Sequence, residues 1–158
     1  MSDVSPVMQG WDCHAHLFGP YDRFPLAPER SYTPPEALEA QYLALLARLG
    51  LSNGVLVHAS AYGDDHSLLL HALAVQPALR GVVVVRPGSP LALSGLRVQG
   101  VRGARFSHRS AAGANFAGSA TFDDLRALPQ SSRSGLASTS FCWNGRPACR
   151  SGVFSRLR

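Results

Sequence analysis

Short apolar runs alternate with helix-patterned stretches four times along this chain, and that alternation constrains the fold more than any other feature. The first strand candidate runs from Val7 to Leu17, followed by a proline- and aromatic-rich loop from Gly19 to Pro35. Thr33-Pro34-Pro35-Glu36 reads as a helix start, with a hydroxyl cap, proline in the first turn and then an acid. Leu38, Tyr42, Leu45, Leu46 and Leu49 follow at helical spacing, and Gly50 fits a C-terminal stop. Gly54 to His58 is a second strand, and Asp64 or Asp65 caps a helix containing Leu68, Leu69, Ala72, Leu73 and Val75. Gly81 to Val85 is the clearest strand. Pro87 to Leu96 makes a short helical crossover, Val101 to Phe106 is the fourth strand, and Thr121 caps a fourth helix.

Strands alternating with helices imply a parallel sheet with helical crossovers. The four units occupy about 130 residues, against eight units in ~250 residues for a TIM barrel. The expected fold is therefore α/β, built from TIM-barrel-type (β/α) units and truncated to about the first four. The alternative is a complete open α/β sheet of flavodoxin type. The sequence offers no GxGxxG or Walker-type phosphate loop in its support.

Chemistry concentrates at the end of the first strand, in Asp12-Cys13-His14-Ala15-His16. Side chains alternate along a strand, so His14 and His16 share a face, with Asp12 expected on the same one. Two imidazoles and a carboxylate at a strand end can bind a metal or polarise a carbonyl. On spacing alone, a plain polar strand end accounts for the pair equally well.

The residues that follow are more specific. Leu17-Phe18-Gly19-Pro20 leads into Asp22-Arg23-Phe24-Pro25 and then Ala27-Pro28-Glu29-Arg30-Ser31-Tyr32-Thr33-Pro34. With the preceding D-x-H-x-H, this resembles the N-terminus of the amidohydrolase superfamily. The likeness is greatest to the branch of 2-pyrone-4,6-dicarboxylate hydrolase and related lactone hydrolases, and it covers roughly residues 8 to 128. It implies that His14 and His16 are catalytic. In metal-dependent members such a pair ligates zinc or manganese, completed by ligands on later strands. In the metal-independent pyrone branch it helps polarise the lactone carbonyl. The cofactor is accordingly none, or a divalent zinc or manganese ion held by His14 and His16. Asp12 either takes part directly or orients a histidine.

The same resemblance implies substrate-binding roles for Tyr32, Ser60, Arg105 and Arg109. Tyr32 would donate to a substrate carboxylate, and Ser60 follows the second strand where barrel sites lie. Arg105, in Arg102-Gly103-Ala104-Arg105-Phe106, would hold a carboxylate through its bidentate fork. Arg109 would supply a second cation, although the family's own lies slightly further along. Arg102 reads as structural. His58 reads as a satisfied core histidine or a companion to Ser60, and His66 and His71 as surface or packing residues on a helix.

Composition excludes several classes. No stretch approaches the ~20 apolar residues that span a bilayer. The first residues lack the cationic, apolar pattern of a signal peptide. Cys13, Cys142 and Cys149 form neither a disulfide framework nor a metal-ligand spacing, so a reducing cytoplasm is expected. The 15 basic residues are all arginine, and the net charge of +5 lies wholly in residues 131–158, which hold five arginines and no acid. Those arginines are scattered without helical period, which favours a solvated tail over a nucleic-acid site. Residues 1–128 are thus expected to form the barrel half. Residues 129–158, with seven serines in the last 28 positions, are expected to be an aberrant or disordered basic tail lacking a fifth strand. A frameshift in a GC-rich gene and a native extension both account for such a tail.

Two functions are consistent with these residues. One is a hydrolase that opens a lactone or cyclic ester of a small dicarboxylic acid, with the chain as given an inactive fragment. Its partner would be a small anionic carboxylate, and its exposed sheet edges would favour self-association. The other is a non-enzymatic truncated α/β module with an anion-binding basic tail.

Overall fold

The computed structural model describes residues 10–84, 93–106 and 139–141, the last segment and residues 93, 94 and 106 by backbone only. Five strands lie in one sheet in the order β1-β2-β3-β4-β5, and every neighbouring pair is parallel. They are β1 (Trp11–Ala15), β2 (Asn53–Val57), β3 (Leu79–Val84), β4 (Val101–Phe106) and β5 (Thr139–Phe141). Helices α1 (Glu39–Arg48), α2 (Ser67–Val75) and α3 (Leu93–Val98) fill the first three crossovers. Spatial order equals chain order, as it does in a growing (β/α) barrel.

The core follows from the apolar spacing. Tyr42 and Leu46 of α1, and Leu68, Leu69, Ala72 and Leu73 of α2, pack with Leu56, Leu79, Val83 and Val101 from the strands. Leu56, Leu79, Val83 and Val101 are each no more than 1% exposed. Helix α1 ends where expected, at Gly50, whose φ of 69° suits a residue without Cβ. Asp65 supplies the start of α2, accepting the Ser67 N–H at 2.9 Å.

Three expectations need correction. Helix α1 begins at Glu39 rather than in the Pro34–Glu36 turn. Phe18 and Ala37 form an antiparallel bridge with N–H···O distances of 2.9 and 2.8 Å, which holds the chain extended up to Leu38. The Glu36 carboxylate is occupied in turn by the Tyr21 N–H at 2.8 Å. Second, a fifth strand does exist: Thr139–Phe141 pairs with Ala104–Phe106. Its three residues are too few to show as an apolar run, and the open edge of β4 offers backbone partners to any extended segment. Third, β1 is not a regular strand. Asp12 pairs with Gly54 and Ala15 with Leu56, so an extra residue bulges between them. Val7, the expected start of β1, and the Thr121 helix lie outside the described residues.

Candidate active site

The carboxyl ends of parallel strands gather His16, Ser60 and Arg105 at one end of the sheet. His16 follows β1, Ser60 opens the 3₁₀ turn (Ser60–Tyr62) after β2, and Arg105 lies near the end of β4. His14 and His16 meet despite the bulge, with their Nε2 atoms 3.3 Å apart and their rings edge to face. His16 Nδ1 lies 2.7 Å from the Val57 carbonyl, which can only accept, so Nδ1 carries the proton. In the neutral ring this leaves a lone pair on Nε2, facing His14. Burial holds the His16 imidazole below its ordinary pKa, against the opposing hydrogen bond to Val57 and with the nearby Arg105 cation pushing the same way as burial.

Arg105 approaches the same spot from β4. Its Nη1 donates to the His58 carbonyl at 3.2 Å. The imidazole of His16 and the guanidinium of Arg105 are thus anchored on consecutive carbonyls, those of Val57 and His58. Among the described residues this one Nη1 bond leaves most of the guanidinium fork available to an anion. Tyr32 and Ser60 come together at 3.4 Å, Oγ to Oη, with Tyr32 42% exposed. Arg109 lies outside the described residues.

Asp12 does not join the histidines as strict alternation would have it. Its Oδ1 accepts the His14 backbone N–H at 3.2 Å, and its Oδ2 accepts the Tyr42 hydroxyl of α1 at 3.0 Å. Desolvation, followed by the adjacent Asp12 carboxylate, drives the Tyr42 phenol well above its ordinary pKa, so it remains a donor. Tyr42 gave only a helix-core signal in the sequence, and nothing in its spacing tied it to Asp12.

Beneath the site lies a pair of buried histidines. His58 is 4% exposed and donates from Nε2 to the Gly63 carbonyl at 2.9 Å. His66 is 8% exposed and donates from Nε2 to the Val84 carbonyl at 3.1 Å. Their ring centroids are 4.4 Å apart. Burial pushes His58 down to about 3, with His66 adding repulsion, and His66 is lowered by burial too. Both therefore serve as neutral donors, His58 to the Gly63 loop carbonyl and His66 to the carbonyl that ends β3. His71, half-buried on α2, packs against Phe24.

The histidine pair bears on metal binding. Two ligands at ~2.05 Å from one ion at a tetrahedral angle are ~3.3 Å apart, which the two Nε2 atoms match. No group of three or more His, Cys, Asp or Glu side chains suited to a metal exists among the described residues. These residues therefore supply half of a zinc-type donor set, and the chemistry they can carry on their own runs through the imidazoles.

A family model described as Amidohydrolase matches residues 11–121. The chain belongs to the amidohydrolase family. A 4-sulfomuconolactone hydrolase of Rhizobium radiobacter is 40% identical over 100 residues, covering 61% of this chain and 33% of the relative. A 2-pyrone-4,6-dicarboxylate hydrolase of Comamonas testosteroni is 42% identical over 98 residues, covering 61% and 32%. Among solved structures, a protein described as a probable 2-pyrone-4,6-dicarboxylic acid hydrolase of Acinetobacter baumannii, crystallised with citric acid, superposes with a TM-score of 0.57. It is 29% identical, with 63% of this chain and 38% of that one covered. The chain thus spans about a third of the length of the curated relatives it matches. Strands β1 to β4, which lie within the matched residues, correspond to part of the family's (β/α) barrel.

Proposed function

We propose that this amidohydrolase acts on a lactone or cyclic ester of a small dicarboxylic acid, of the 2-pyrone-4,6-dicarboxylate or muconolactone type. The observation that carries the reading is the anchoring of His16 and Arg105 on adjacent carbonyls, which puts a carbonyl-directed imidazole pair beside a carboxylate-directed guanidinium. On substrate binding, the His14 Nε2–H turns from His16 to the lactone carbonyl oxygen and stabilises negative charge developing there. Arg105 holds a substrate carboxylate through its remaining donors. Tyr32 and Ser60 supply hydroxyl contacts at the rim, and Arg109 a second cation. A group that activates water is not among the described residues of this cluster, so this part of the barrel binds the substrate and polarises its carbonyl. Residues 1–128 are the unit that carries these groups, and residues 129–158 are a basic tail to it. The cysteine usage accords with a cytoplasmic setting. The edge of β1 that has no strand partner among the described residues accords with self-association.

Calorimetric titration with 2-pyrone-4,6-dicarboxylate tests the assignment. The chain should bind it, and Arg105→Ala should weaken binding at least about tenfold through loss of charged hydrogen bonds. Absence of binding, or equal affinity in the variant, refutes the proposal.

A further inference from the structure

We propose that Tyr42 is the positioning residue for the His14–His16 pair, acting through Asp12 to hold the β1 bulge in the conformation that brings the two imidazoles together. This role rests on the reading that these histidines are the reacting pair. It adds a residue on a helix that touches neither imidazole.

A strand that inserts one extra residue loses ladder bonds at the bulge and has more than one way to re-enter the sheet. In β1 the extra residue falls between Asp12 and Ala15, immediately ahead of His16. What fixes that stretch is the Asp12 carboxylate. One oxygen takes the His14 N–H at 3.2 Å, pinning the backbone from which the first imidazole projects. A carboxylate on one N–H can still rotate about its side-chain bonds. The second oxygen removes that freedom by accepting the Tyr42 hydroxyl at 3.0 Å. Tyr42 is itself held by packing: it is 7% exposed and belongs to the core cluster with Leu46 and Leu56.

The strand beneath Tyr42 is built to admit it. Gly54 is the register partner of Asp12, and a Cβ placed there would overlap the Tyr42 hydroxyl. Only glycine at position 54 lets the phenol lie across β2 and reach the carboxylate on the far strand. Three residues on three elements thus converge on one backbone N–H. His16 has a separate tether, the Val57 carbonyl. The 3.3 Å Nε2–Nε2 approach therefore depends on placing His14 relative to an imidazole that is already fixed. Partners that orient ligand-type histidines at second hand typically change the affinity of such a pair for a metal ion by ~10–100-fold.

The test uses Cu²⁺ alone as a probe of imidazole spacing, titrated into the full chain and followed by its visible absorption, with folding checked by circular dichroism. His16→Ala sets the baseline by removing chelation. Tyr42→Phe and Asp12→Ala should each weaken Cu²⁺ binding by about tenfold. Asp12→Asn should stay within about twofold of the parent, because an amide oxygen can still accept the His14 N–H while the amide nitrogen donates to the tyrosine oxygen. A purely structural loss in Tyr42→Phe would lower stability without changing the affinity of the molecules that remain folded. Parent-like affinity in folded Tyr42→Phe overturns the proposal. Should that variant fail to fold, amide exchange in the parent decides: His14 N–H should exchange at least about tenfold slower than an unprotected amide, and free exchange overturns it. Because the readout is chelation and not lactone opening, a failure to bind pyrone dicarboxylate leaves this result standing on its own.

Discussion

Acidification should begin to destabilise this protein before its carboxylates titrate, and the buried histidine pair sets the magnitude. His58 is held down to about 3 in the folded chain, against 6.5 for an unperturbed imidazole. Above pH 6.5 the ring is neutral in both states, so it contributes no pH dependence. Between 6.5 and 3 the unfolded chain binds the proton that the folded chain refuses, and stability falls as pH falls. At about pH 5 the linkage amounts to a loss of about 2 kcal/mol from this residue, rising to about 5 kcal/mol once pH passes below about 3. His66 acts in the same direction, because burial lowers its imidazole as well. Asp65, whose carboxyl is lowered by hydrogen bonds from Ser67, adds to the loss only below its unfolded pKa of about 4. Urea denaturation at about pH 7, 6 and 5 measures the effect. With a slope of ~2 kcal/mol per molar, the midpoint should move down by about 1 M over that range. His58→Gln keeps a neutral donor for the Gly63 carbonyl and should flatten most of the trend. An unchanged midpoint across that range, or the same fall in His58→Gln, refutes the linkage.

Two further perturbations bear on packing. Leu56→Ala, at a site 1% exposed near the end of β2, should cost ~2–5 kcal/mol by urea denaturation. Gly54→Ala should cost ~1–3 kcal/mol because the new methyl meets the Tyr42 hydroxyl, and adding Tyr42→Phe should recover part of that loss in a double-mutant cycle.

Legibility in the sequence followed the range of each interaction. β2 and β3 showed themselves because a strand buried in a parallel sheet reads as a short apolar run, Val55–Val57 and Val82–Val84 here. The His14–His16 pair showed itself because i and i+2 neighbours are a local matter. Arg105 and Ser60 required the parallel topology to bring strand ends together, and that topology followed from the alternation of elements. What stayed hidden was set by contacts distant in the chain. The late start of α1 depends on the Phe18–Ala37 bridge, and the bulge in β1 depends on its pairing with β2. Asp12 turned toward Tyr42, 30 residues away, where alternation alone pointed it at the histidines. β5 is a short backbone pairing that its side chains do not advertise.

Because each strand pairs with its neighbour in sequence, the order of assembly is a matter of chain closure. Trp11 and Asn53 are 42 residues apart across the β1–β2 pairing, whereas Gly81 and Val101 are 20 apart across β3–β4. Closing the longer segment costs about 0.7 kcal/mol more in chain entropy, and β1 then gains a partner on only one described side. β3 and β4 therefore zip first, β2 adds to them, and the strand bearing the two histidines docks late. Among strands β1 to β4, the segment bearing the histidine pair is consequently the last to come into being and the first to open. Native-state hydrogen exchange should find the amides of β1 releasing at lower free energy than those of β3; equal protection of the two strands would contradict this ordering.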